Sequence, residues 1–227
     1  MKAPASIPFS FCAIIPAYNE SRRIADVIRQ ARNYCAHVIV IDDGSSDGTA
    51  EAARTAGAEV VRFESNRGKG VALQTGLRLA LERNFDAAFT LDADGQHLPE
   101  EMPRFIEMMR RTGADIVLGT RLRKPAGMPI VRLITNRIQS VLITVLAGPL
   151  MSDSQTGYRL IRPRVVKGVK YFSNRYAFES EILVRAARRG FRIVEAEISC
   201  AYGGEKSGIR PLRDTLRFFR MLLQIYR

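Results

Sequence analysis

HVIVIDDGSSDGT, residues 37–49, changes character at its midpoint. Residues 38–41 are apolar and β-branched throughout, with none of the alternation of a half-buried strand, so a strand here expects burial on both faces. DDGSSDGT then holds only acids, small hydroxyl residues and glycines, the types that make tight turns and helix starts. A strand buried on both sides that breaks at its carboxyl end into a polar turn and a helix is the building unit of a parallel α/β sheet.

Outward from this stretch the same rhythm repeats. FCAII (11–15), AEVVRF (58–63), DAAFTL (86–91) and DIVLG (115–119) read as further strands, separated by helix-like segments at 20–34, 47–56, 70–83 and 99–112. The expected fold is α/β, a mostly parallel central sheet flanked by helices. Past residue 120 the rhythm breaks into a basic loop, RLRKPAGMP, then a helix over 130–147, a short strand region, a helix over 178–189, the strand RIVEAEISC and a terminal helix. The chain reads as one catalytic domain over residues 1–210 followed by an amphipathic basic helix over 211–227. In that last segment Arg213, Arg217, Arg220 and Arg227 form a narrow basic stripe beside a broad apolar arc, a pattern suited to a membrane surface.

Composition narrows the function. The 227 residues are 46% apolar, enough for one sizeable core. Lys and Arg number 35 against 23 Asp and Glu, a formal charge of +12 that calls for an anionic partner. Cys12, Cys35 and Cys200 form no C-x-x-C pair and sit among apolar residues, as buried reduced thiols do. The longest apolar run, VLITVLAGPLM, is too short to span a bilayer, and no leader pattern opens the chain. A cytoplasmic protein peripheral at the inner face of the membrane is expected, attached directly or through a separate membrane-anchoring subunit.

Ligands of open parallel sheets bind at the carboxyl ends of the strands. Here those ends carry IPAYNES, DDGSSDGT, NRGKG, DADGQH and GTR, five polar segments converging on one place. Familiar phosphate and calcium loops do not fit them. A dinucleotide fingerprint would need Gly at Leu73, a Walker loop Gly at Phe63, and a calcium loop starting at Asp43 an acid at Arg54. In LDADGQH (91–97), Asp92 and Asp94 crowd two like charges together, which a hard divalent ion and a phosphate ligand make tolerable. A nucleic-acid module would explain the basic balance but needs no carboxylates at strand ends, so no nucleic-acid partner is expected.

The ordered set PAYNE, IDDGSSDGT, NRGKG, LDADGQH, GTR, DSQTGYR and AFESE resembles the inverting family 2 glycosyltransferases of the GT-A fold. More narrowly it is similar to the polyprenyl-phosphate and dolichyl-phosphate sugar synthases, over nearly the whole chain. The resemblance implies transfer of a sugar from a nucleotide diphosphate sugar to a polyprenyl phosphate lipid, with Mg²⁺ or Mn²⁺. It implies that Pro16, Tyr18, Glu20 and Asp42 hold the base and ribose, that Lys69 reaches the nucleotide, that Asp94 and Gln96 ligate the metal, and that Asp92 faces the ribose or the metal's water shell. Arg121, Arg132 and Asn136 match the positions that receive the acceptor phosphate, and Asp153 and Gln155 those of an acceptor loop. Were the acceptor a hydroxyl, in cell-envelope polysaccharide synthesis, a carboxylate base would be required, and Asp153 or Glu179 is the candidate. Asp43, Asp47 and Gly48 read as turn and helix-cap residues, His97 as a polar neighbour, and Glu179 and Glu181 equally as a helix N-terminal pair near Arg185.

On a helix over 131–147, Arg132, Asn136, Gln139 and Ser140 share one side, and Val131, Ile134, Ile138, Val141, Leu142 and Val145 the other. An interfacial helix and a core-facing one give the same wheel.

Overall fold

The computed structural model describes residues 9–121, 130–148 and 150–199, with the side chains of 130–132 outside the description. The 211–227 segment and Cys200 lie outside the described residues. Seven strands form one sheet in the order β3-β2-β1-β4-β6-β5-β7. These are β1 (Phe11–Ala17), β2 (His37–Asp42), β3 (Glu59–Arg62), β4 (Ala87–Thr90), β5 (Ile116–Thr120), β6 (Arg159–Ile161) and β7 (Ile193–Glu197). All run parallel except β6, which lies antiparallel between β4 and β5, pairing Arg159 with Thr90 on one side and with Leu118 on the other.

The five strands read from sequence are present within a residue or two of their expected bounds. Helix α1 (Ile24–Arg32) starts later than the pattern suggested, because Asn19 takes a positive φ and the Glu20 carbonyl closes a turn onto the amides of Arg23 and Ile24. Helices α2 (Thr49–Thr55) and α3 (Lys69–Glu82) follow, and the fourth segment splits into a 3-10 turn, Pro99–Glu101, and α4 (Met102–Thr112). Helices α5 (Ile130–Ala147) and α6 (Ala177–Arg188) complete the described elements.

Burial on both faces of the strands divides the core in two. Ala13 and Ile15 of β1 join Val40, Phe89, Val117, Phe105 and Met109 on the side of α1 and α4. Cys12 and Ile14 join Ile39, Ile41, Leu77, Leu118, Phe178 and Leu183 on the side of α3 and α6. Period-two alternation in a strand that is apolar throughout produces this arrangement. Cys12 and Cys35 are buried free thiols, and burial pushes them up to about 12 and about 11, so both are un-ionised at neutral pH.

Because β6 runs against its neighbours, its start lies where theirs end. The segment DSQTG that leads into β6 is thereby brought to the same edge of the sheet as the turns after β4 and β5.

Candidate active site

The first two strand-end loops are zipped together by short hydrogen bonds. Asn19 donates its amide to Ser45 Oγ at 2.9 Å and accepts the Ser46 amide at 3.0 Å, while the Glu20 amide donates to Thr49 Oγ1 at 2.8 Å. Asp47 accepts the amides of Ser21 and Thr49, tying PAYNES to the start of α2. Asp43 accepts the amides of Arg67 and Gly68 at 2.6 and 2.8 Å and so pins NRGKG to the end of β2. Asp43 and Asp47 are frame residues, as their turn-forming context suggests.

Of the residues expected to hold the nucleotide, Pro16 is buried in β1 and Tyr18 is 48% exposed. Asp42 is fully buried at the end of β2. It accepts the Ser45 amide through Oδ1, and Arg62 Nε lies 3.3 Å from its Oδ2. Burial raises the Glu20 carboxyl, and the nearby Asp94, Asp47 and Asp92 add to that against Arg23. Glu20, Asp92 and Asp94 therefore share one negative field.

Lys69, the first residue of α3, places Nζ 2.6 Å from Asp92 and 3.1 Å from Glu179. Burial alone would raise Asp92, but the Lys69 ammonium overrides it and holds the carboxyl well below its usual range. Lys69 itself is held cationic, since Asp92 and Glu179 outweigh its own desolvation. Glu179 thus parts from Glu181, which instead pairs with Arg185 at 2.7 Å. Gly157 lies against Asp92, where a Cβ would sit 2.9 Å from both carboxylate oxygens, so only glycine lets the β6 lead-in pass this close.

Asp94 Oδ1 accepts the Gln96 amide at 3.0 Å, closing a tight turn that brings both side chains to the end of β4. Among the described residues no group of three or more His, Cys, Asp or Glu is arranged to hold a metal. A carboxylate and an amide oxygen nonetheless suit a hard ion such as Mg²⁺ or Mn²⁺, which takes its remaining oxygens from a diphosphate and water. His97 faces away from that role. Its Nδ1 accepts the Asp92 amide at 3.1 Å, and its ring stacks on Tyr158. Burial, reinforced by Arg121 and Lys69, pushes it down to about 4.

On the other side of β6, Arg121 and Asp153 form a buried fork, with Nε to Oδ2 at 2.8 Å, Nη2 to Oδ1 at 3.1 Å and the Arg121 amide also donating to Oδ2. Gln155 donates to Ser154 Oγ and Ser180 Oγ, tying the loop to α6. Asn136 is buried on the inner side of α5, one turn from Ser140, whose hydroxyl accepts the Ser154 amide at 2.9 Å. Arg132 lies on α5, but its side chain is outside the described residues.

Two residues that organise this edge escaped the sequence reading. Arg159, fully buried, donates to the carbonyls of Thr156, Ser154 and Glu179, stapling the DSQTG segment to the first turn of α6. Glu195 of β7 accepts from the amide and hydroxyl of Ser152. The only signal for the first was an arginine opening an otherwise apolar strand.

Comparison with known proteins now carries weight. The family model for glycosyl transferase family 2 matches residues 12–169. The chain belongs to that family. It is 34% identical over 200 residues to an undecaprenyl-phosphate mannosyltransferase of Micrococcus luteus, covering 82% of this chain and 81% of that one. A UDP-N-acetylglucosamine–dolichyl-phosphate N-acetylglucosaminyltransferase of Methanococcus voltae is 31% identical over 212 residues, covering 83% and 84%. Among solved structures, glucosyl-3-phosphoglycerate synthase of Mycobacterium tuberculosis, in complex with Mn²⁺, UDP and glucosyl-3-phosphoglycerate, superposes with a TM-score of 0.75 at 20% identity, covering 96% of this chain and 80% of that one. The fold is GT-A.

Proposed function

We propose that this glycosyltransferase moves a sugar from a nucleotide diphosphate sugar to a polyprenyl phosphate, with inversion and with Mg²⁺ or Mn²⁺. The reading rests on how the acceptor-side carboxylates are used. A hydroxyl acceptor needs a carboxylate free to take its proton. Here both oxygens of Asp153 lie on the Arg121 guanidinium, and Glu179 lies on Lys69. These are ion pairs rather than bases aimed at a substrate. A phosphate brings its own anionic oxygen and leaves alignment and leaving-group stabilisation as the protein's task. The names of the lipid-phosphate relatives agree with that choice.

In this reading Tyr18 stacks on the base while Glu20 and Asp42 take base and ribose donors. Asp92 faces the ribose, and Lys69 sits beside the diphosphate. Asp94 and Gln96 would hold the divalent ion, which supplies charge stabilisation to the departing nucleoside diphosphate. Arg121, Arg132 and Asn136 line the way in for the acceptor phosphate, with Asp153 and Gln155 shaping its loop. One acceptor oxygen forms a bond to the anomeric carbon as the bond to the diphosphate oxygen breaks on the opposite face. The protein works at the cytoplasmic face of a membrane, with residues 211–227 as one contact.

The test pairs two measurements on the full chain. Thermal shift with UDP and GDP, with and without Mn²⁺, should show metal-dependent stabilisation by one nucleotide. Transfer should then proceed to a short-chain polyprenyl phosphate and not to the corresponding alcohol. Equal transfer to the alcohol would overturn the phosphate reading.

A further inference from the structure

A second cleft opens between α3 and the chain that links β6 to α6, and none of the residues assigned to sugar transfer lines it. Its volume is about 380 Å³, at the lower end of the range that holds small ligands. Gln74 and Arg78, one turn apart on α3, form one wall. Val166, which ends the 3-10 turn Pro163–Val166, forms the other with Val169, Lys170, Tyr171 and Phe172.

Charge selects the ligand. Arg78 and Lys170 are exposed on opposite walls, no acid lines the cleft, and neither cation forms an ion pair among the described residues. Between residues 162 and 192 the sequence carries nine Lys and Arg against two acids, Glu179 and Glu181, and both acids are buried. The rim is therefore positive. Arg185 stands over the Phe172 ring at 5.0 Å, and Glu181 is spent on Arg185 and on the amides of Phe172 and Ser173. A guanidinium fork and an ammonium across one opening suit a doubly charged phosphoryl group. Val166, Val169 and the Phe172 ring suit an apolar body. The Tyr171 hydroxyl is buried with no hydrogen-bond partner among the described residues, and burial raises it, so it remains a donor lacking an acceptor. A concave opening of this size admits a small molecule and not a bilayer surface.

The wall of this cleft leads to Lys69. Residues 172–176 run from it to the start of α3 and are fastened along their length. The Ser173 carbonyl accepts Gln74 Nε2 at 3.1 Å, the Asn174 carbonyl accepts the Val71 amide at 3.3 Å, and the Tyr176 ring centre lies 5.8 Å from Lys69 Nζ. A Cβ on Gly70 would stand 2.7 Å from the Arg175 carbonyl oxygen, so the segment lies directly on the turn that carries Lys69. We infer that the cleft binds a small soluble phosphomonoester with an apolar body through Arg78 and Lys170, and that its occupancy tightens donor binding along residues 172–176. The second half rests on the reading of Lys69 as a donor residue. A ligand that holds Lys170 and Phe172 in place orders the segment before the nucleotide arrives, which removes part of the cost of ordering it later.

The chain contains no tryptophan, so full-length Phe172→Trp places a single reporter on the cleft wall. With Mn²⁺ and saturating UDP or GDP, whichever stabilises the chain, phenyl phosphate should change its emission saturably. Phenol and inorganic phosphate, each carrying half of the recognition, should bind about tenfold or more weakly. Adding Arg78→Gln and Lys170→Gln, at exposed positions that leave the fold intact, should weaken phenyl phosphate about tenfold or more. By calorimetry on the chain with Phe172 retained, saturating phenyl phosphate should tighten the nucleotide by about fivefold or more, and the Gln pair should abolish that gain. Competition at the donor site has the opposite sign. No saturable emission change, equal affinity in the Gln pair, or a response to phosphatidic acid vesicles alone overturns the cleft as a site. Nucleotide affinity that is unchanged or weakened overturns the coupling. If neither nucleotide binds while the Phe172→Trp variant still registers phenyl phosphate, the donor reading falls and the cleft stands.

Discussion

The edge of this sheet proposed to hold the donor and the edge proposed to receive the acceptor are fastened by different chemistry. At the ends of β1 and β2, loops are fixed mainly by backbone amides, from Asn19 on Ser45 to Gly68 on Asp43. Tyr18 stands half-exposed at this edge, and Asp94 closes its own turn onto the Gln96 amide. Across β6, by contrast, charged side chains are themselves the fasteners: Arg121 forks onto Asp153, Arg159 staples three carbonyls, and Glu195 grips Ser152. Apart from the frame residues Asp43 and Asp47, substitutions on the donor edge should therefore act on ligands, and those of the charged fasteners across β6 on the fold.

The sharpest break of that contrast is Arg121→Ala. It strands the Asp153 carboxylate in a buried site, and losing one partner of such a pair costs about 3–5 kcal/mol. Urea unfolding should show the loss, and Arg121→Met combined with Asp153→Leu should recover most of it. If Arg121→Ala keeps its urea midpoint and fails only in transfer to lipid phosphate, Arg121 serves the acceptor without fastening the edge, and the contrast dissolves.

On the donor edge, Asp94→Asn preserves size and removes charge. Turnover should fall on the order of 10²–10³-fold or more, as when a main electrostatic contact to a transition state is removed, with metal-dependent nucleotide binding lost. Unfolding free energy should stay within about 0.5 kcal/mol of wild type, as for a partly exposed side chain. A large drop in stability would make Asp94 a frame residue.

His97 lies between the two edges and tests the pH dependence. Its folded value of about 4 lies below the ordinary 6.5, so the unfolded chain binds more protons between those limits. Stability is complete above pH 6.5 and declines as pH falls toward 4, by roughly 3 kcal/mol in all. Asp92, also depressed, adds its own loss only below about 3.8. His97→Asn keeps an acceptor for the Asp92 amide and removes the titration, so the slope of the urea midpoint between pH 6.5 and 4 should flatten. A slope that survives the substitution would assign it elsewhere.

The same contrast explains what the sequence disclosed. Strands such as VIVI announce burial on both faces, and the turn residues after them mark the edge, so β1 to β5 and the positions of Asp92, Asp94 and Lys69 were legible. Local hydrogen bonds follow local composition, as at Asp47. The acceptor edge depends on partners far apart in the chain. Lys69 meets Glu179 across 110 positions, and Arg121 meets Asp153 across 32, pairings to which no period or spacing points. β6 has three residues, too few to show alternation. The wheel of α5 was visible, but its orientation was not, since polar residues can face inward once a neighbouring loop offers them hydrogen bonds.

The antiparallel strand has a consequence for the order in which the molecule comes into being. β4 and β5 do not pair with each other; β6 lies between them and pairs with both. Thr90 meets its partner Gly157 across a sequence separation of 67 positions, the kind of distant closure that folding reaches slowly. During synthesis the strands β3-β2-β1-β4 can pair as soon as they emerge, but β5 has no strand to pair with until residues 159–161 arrive to bridge it. Glu179, which completes the grip on Lys69, emerges later still. An unfinished copy thus holds most of the proposed nucleotide site without the edge proposed to receive the acceptor, and the two come together when a three-residue strand slides between them.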